Sequence, residues 1–115
     1  MQQIANRNNI LILAVRPTGR GTFRLGLTYQ DSLEYFRNRR TPVNILLNNI
    51  EVLTHTTCGP PLHQGFDLEQ QLIHNWIVEN HYDEYPHRHP TELEFEYSLI
   101  NNHITLRFLR IHPPQ

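Results

Sequence analysis

The chain has 115 residues, 38% of them apolar, and a net charge of −1. That suits one domain, residues 1–115, with a modest core, and no apolar run nears the roughly 20 residues a membrane-spanning helix needs. The lone Cys58 excludes an internal disulfide, and MQQIANRNN lacks the basic start and apolar stretch of a secretory signal, so a reducing, cytoplasmic setting is expected.

The first apolar run, ILILAVR, is apolar on both faces and reads as a central, covered strand. Through Pro17–Gly21 it joins TFRLGLTY, where Phe23, Leu25, Leu27 and Tyr29 share one face while Arg24 and Thr28 look outward. Asp31 and Glu34 form a capping-box pattern ahead of Leu33 and Phe36, predicting a helix that Pro42 stops. Arg37, Arg39 and Arg40 then fall near its C-terminal end, where the helix dipole favours cations. VNILL and IEVLT flank Asn48-Asn49 as a hairpin, with Leu47 facing Ile50 and Ile45 facing Val52. A second helix is predicted to begin at Asp67, with Gln70 at the reciprocal position of a capping box, and to run to about Asn80 or His81. Its apolar stripe is Leu68, Leu72, Ile73, Trp76 and Ile77.

The last hairpin has the clearest signal. TELEFEYSLI alternates strictly, and Asn101-Asn102 tolerates the left-handed backbone of a two-residue turn. Folding there pairs Leu99 with Ile104, Tyr97 with Leu106 and Phe95 with Phe108. On the opposite face Ser98 meets Thr105 and Glu96 meets Arg107. The predicted order is ββ-α-ββ-α-ββ, an α+β fold of three hairpins in a mainly antiparallel sheet with helices on one face. Such a sheet leaves an edge as a contact surface.

All ten basic residues are arginine, whereas a chain this long ordinarily carries on the order of six or seven lysines. GC-rich coding would swap lysine for arginine but would also deplete the eleven asparagines and ten isoleucines. Selection against side-chain amines, the usual target of conjugation, is the sharper explanation. Residues 1–50 carry +5 and residues 51–115 carry −6. If the halves form separate faces the surface is strongly polar; if they interleave, salt bridges cancel the charges.

Three constellations bear on function. Arg16, Arg20, Arg24, Arg37, Arg39 and Arg40 offer guanidinium forks for carboxylate or phosphate. A nucleic-acid contact would stack Tyr29 or Tyr35 beside them, although a slightly acidic chain disfavours non-specific phosphate binding. In DEYPHRHP, Tyr85 and His89 precede prolines and are expected to be extended. His87 and His89 would then project to one side as a ligand pair for zinc, with His81 completing the set. His55, Cys58 and His63 could pair a thiol with an imidazole, though a lone strand-end cysteine is more often a small buried hydrophobe.

The His87-Arg88-His89-Pro90 stretch resembles the zinc-ligand segment of the metalloprotease family that removes ubiquitin. The serine and aspartate that follow in that family correspond to Tyr97 and Ile100, so the resemblance ends with those four residues. The reading that emerges is a small non-enzymatic binding or adaptor module of an intracellular or viral system, without a resident cofactor. It engages a protein partner or a second copy of itself, through an arginine-rich N-terminal half and an acidic C-terminal half. A zinc-dependent hydrolase or nuclease is the main alternative, and an arginine-dependent nucleic-acid binder the second.

Overall fold

A computed structural model describes residues 9–36, 40–58, 65–86 and 88–113. The strands are β1 (Asn9–Pro17), β2 (Phe23–Gly26), β3 (Pro42–Leu47), β4 (Ile50–Cys58), β5 (Phe66–Leu68), β6 (Glu92–Ile100) and β7 (His103–Ile111). A short helix α1 (Tyr29–Asp31) runs into a π-helical turn (Ser32–Phe36), and α2 spans Gln71–Glu79. The strands close into one barrel in the order β1-β2-β5-β4-β3-β7-β6, with β6 returning to β1. All neighbours are antiparallel except β3 and β7, which run parallel.

This corrects the α+β sheet with helices on one face. The three hairpins form as expected, but they wrap around a shared interior, with no helix layer. Leu13, Val15, Leu25, Ile45, Leu93 and Phe95 fill that interior and are essentially inaccessible. A closed barrel has no terminal edge strand, so among the described residues the open-sheet edge expected as a contact surface is not formed. Alternation marks one buried face per strand, and a barrel interior satisfies it as well as a helix layer would.

The expected registers are observed. Leu47 pairs with Ile50 and Ile45 with Val52. In the last hairpin Phe95 pairs with Phe108, Glu96 with Arg107 and Leu99 with Ile104. One irregularity was not legible. Between Glu94 and Phe95 the register shifts, so Glu94 pairs with Arg110 and Leu109 is bulged. The bulge resets the alternation of β7 and leaves both Arg107 and Arg110 outside.

Both helix starts differ from expectation. The cap of α1 is Thr28, whose Oγ1 accepts from the Asp31 N–H at 3.1 Å, rather than Asp31 itself. Asp67 and Leu68, read as the first residues of the second helix, belong to β5. There Phe66 and Leu68 turn inward and Asp67 turns outward beside Gly26. The α2 cap is Gln70, which accepts from the Leu72 N–H at 2.7 Å. Ile73, Trp76 and Ile77 are buried, while Leu72 is exposed.

The helical elements sit at opposite ends of the barrel. At the end where β1 leads into β2, the Phe23 N–H donates to His74 Nδ1 at 3.1 Å, and Trp76 meets Phe108 edge-on at 5.0 Å. At the other end Phe36 meets Tyr97 at 5.8 Å, and Ser32 Oγ accepts from the Phe66 N–H at 2.8 Å. No helix among the described residues is long and apolar enough to cross a membrane.

Candidate functional site

Barrel closure distributes the charges. Arg24 meets Asp67 and Arg20 meets Glu69, N-terminal cation to C-terminal acid. Glu96 pairs with Arg107, and Glu94 with Arg110 and His112, within the last hairpin. Among the described residues the halves thus interleave at Arg20 and Arg24 rather than standing on separate faces.

The arginine set divides accordingly. Arg20 sits in the β1–β2 loop, 2.7 Å from Glu69. Arg40 is exposed just before β3, at the opposite end, with a backbone φ of 65°. Arg37 and Arg39 lie outside the described residues. Arg16 and Arg24 come together as direct cross-strand partners on β1 and β2. Their strand positions put both side chains on the outer wall of the barrel.

Like charges opposite each other in a sheet repel. Asp67 offsets part of that repulsion, with its Oδ2 3.3 Å from Arg24 Nε. The contact is an ion pair without hydrogen-bond alignment, because the buried Nε has no hydrogen-bond partner. Arg16 has no ion pair within 4 Å among the described residues. Its stem crosses Gly26 so closely that a Cβ there would lie 3.1 Å from Arg16 Cδ and Nε and 3.5 Å from Asp67 Oδ1. Gly26 therefore leaves the path that brings the Arg16 guanidinium beside Asp67.

Gly65 fixes the other side. A Cβ at this position would lie 1.7 Å from the Leu27 carbonyl oxygen. Only glycine lets the chain enter β5 this close to β2, where the Leu27 N–H donates to Phe66 O at 2.9 Å. The result is an open groove of about 400 Å3 bounded by Arg16, Arg24, Asp67, Thr28, Tyr29 and Gly65. It continues along β1 into a second hollow lined by Ile10, Ile12, Ala14, Asp31 and Glu92, with Arg16, Leu27 and Thr28 common to both. Burial raises the Asp31 carboxyl above the usual range, against the pull of the Thr28 hydroxyl, and Glu34 adds to the rise.

The histidine segment is a corner. His89 N–H donates to Pro86 O at 2.9 Å, and Arg88 has a φ of 67°. Arg88 and His89 thus belong to a turn rather than an extended run, and the expected pairing of His89 with His87 lies outside the described residues. His81 is exposed, with Nδ1 2.9 Å from Glu84 Oε2; His89 is exposed; His87 lies outside the described residues. Among the described residues no three His, Cys, Asp or Glu side chains stand together as metal ligands. His55 is exposed on β4, while the Cys58 side chain and His63 are outside the described set.

Arg16 and Arg24 were named as candidates from the sequence, whereas Asp67, Gly26 and Gly65 beside them were not. The signal for the glycines was weak, since neither lies in a turn motif. Asp67 was hidden because an acid before an apolar stripe reads as a helix start. In comparisons with known proteins, no family model, curated protein or solved structure matches this chain.

Proposed function

We propose that this protein is a non-enzymatic binding module that engages a protein partner through Arg16 and Arg24. The observation that carries the reading is their cross-strand pairing beside a single aspartate. Arg24 contacts the Asp67 carboxylate, while the Arg16 fork, its cross-strand neighbour, remains open on the barrel wall. Arginine forks match carboxylates bidentately, and groups held on strands are better positioned than groups on loops. Docking onto the acidic half of a second copy is less favoured, because Glu96 and Glu94 of that half already pair with Arg107 and Arg110. A polyanion is disfavoured at the same groove by Asp31, Glu92 and Asp67 around it.

The test is affinity capture from an extract of the native host with three baits: the wild-type chain, Arg16→Glu, and Arg110→Gln as a charge-altered control. The expected result is a protein retained by the wild type and by Arg110→Gln and lost with Arg16→Glu. Recovery of the same proteins by all three baits contradicts the reading. Nuclease-sensitive capture would instead support the nucleic-acid alternative.

A further inference from the structure

The outward face of β1 is unusual for a barrel wall that also carries charge. Ile10 is 45% exposed and Ile12 half-buried, and they lead through Ala14 to Arg16. These alternate residues line one hollow, and it adjoins the groove of the Arg16–Arg24 pair, with which it shares Arg16, Leu27 and Thr28. Strand residues rise about 3.3 Å each, so Ile12 and Arg16 lie roughly 13 Å apart along the groove. An extended segment of about four residues spans that distance.

We infer that the groove receives an extended peptide segment with apolar side chains that ends in a single carboxylate. This rests on the binding reading above and names the element of the partner that is bound. The apolar side chains lie on Ile10, Ile12 and Ala14, and the carboxylate accepts from the guanidiniums of Arg16 and Arg24. Charge decides against a richer anion. Among the described residues at the end of the groove, Arg16, Arg24 and Asp67 sum to one positive charge, which one carboxylate neutralises. A second negative charge would meet Asp67 there, or Asp31 and Glu92 along the walls. The acidic walls thus act as a filter against phosphate-rich ligands and acidic tails, while the apolar floor adds area that a bare carboxylate lacks.

The experiment is an NMR titration of the full chain with three probes. They are the tetrapeptide acetyl-Val-Ala-Val-Leu with a free C-terminal carboxylate, the same peptide as its amide, and a thymidine decamer. The free acid should shift the Arg16 and Arg24 Nε–H signals together with the Ile10 and Ile12 methyls, and the amide should bind about tenfold more weakly. Arg16→Gln should bring the free acid down to the affinity of the amide. Ile12→Glu should weaken both peptides. Equal affinity for acid and amide overturns the inference, as does a shift at the arginines without one at the isoleucines, or tighter binding of the decamer. Arg16 is exposed and makes no ion pair among the described residues, so Arg16→Gln should keep the wild-type methyl spectrum and remain a fair comparison. Should the peptides fail while Arg16-dependent capture persists, this inference falls alone. Should both fail, the binding reading falls with it.

Discussion

At Gly65 a single methyl group would meet the Leu27 backbone, which cannot step aside as a side chain can. Gly65→Ala should therefore destabilise the fold by more than about 2 kcal/mol, at the upper end of ordinary substitutions, as read from urea denaturation midpoints. Gly26→Ala is the contrast. Its nearest neighbours are the Cδ and Nε of Arg16, the far part of a flexible chain, so the cost should stay below about 1 kcal/mol while Arg16 is displaced from the groove. Equal losses for the two variants would contradict this account of the site. Neither role was legible from the sequence. Each glycine is explained by a neighbour that is remote in the chain or across a hairpin, and no local turn requires it.

The β6–β7 hairpin was the most legible element because its information is local. Alternation sets the faces, Asn101-Asn102 sets the turn with both residues at positive φ, and acid meets base in the resulting register. The bulge at Leu109 was not legible, and it is what brings Arg110 to Glu94. There the hydrogen bond with His112 holds the Glu94 carboxyl below its usual range, partly opposed by desolvation and reinforced by Arg110. A carboxylate whose folded pKa lies below its unfolded value contributes stability above the ordinary glutamate range of about pH 4 to 5. That contribution is lost as pH falls through the folded value. Wild type should therefore lose more stability than Glu94→Gln when urea unfolding is compared at neutral pH and near pH 3. Identical pH slopes would show that Glu94 gains nothing from its partners. By contrast, the helix starts were misread. Asp31 and Asp67 each carry a capping signal, but Thr28 and Gln70 take those positions, and pairing with Gly26 draws Asp67 into a strand.

The closed barrel is a property of the whole chain and was the least legible. β1 meets β6 across some 80 residues, with Ile12 beside Glu94, and β3 meets β7 across about 60, with Ile45 beside Leu106. No hairpin pattern encodes either pairing. Closure also undoes the charge asymmetry of the linear sequence by setting Asp67 and Glu69 against Arg24 and Arg20. The shortest seam is β2–β5, with the pairs Leu25–Leu68 and Gly26–Asp67 and the adjoining Leu27 N–H to Phe66 O hydrogen bond. Amide protons of Phe66–Leu68 should accordingly exchange faster than those at the centres of β1, β6 and β7 in native-state hydrogen exchange; uniform protection would contradict a seam there. On the β1–β2 wall the Arg16 guanidinium stays open among the described residues, and the claim that it grips a single carboxylate sets a low ceiling on charge dependence. The decisive measurement is the affinity of the captured partner between about 50 and about 200 mM salt. One exposed ion pair predicts a fall of only a few-fold, whereas a loss of about a thousandfold or more is the mark of a polyanion neutralised at many points and would contradict it.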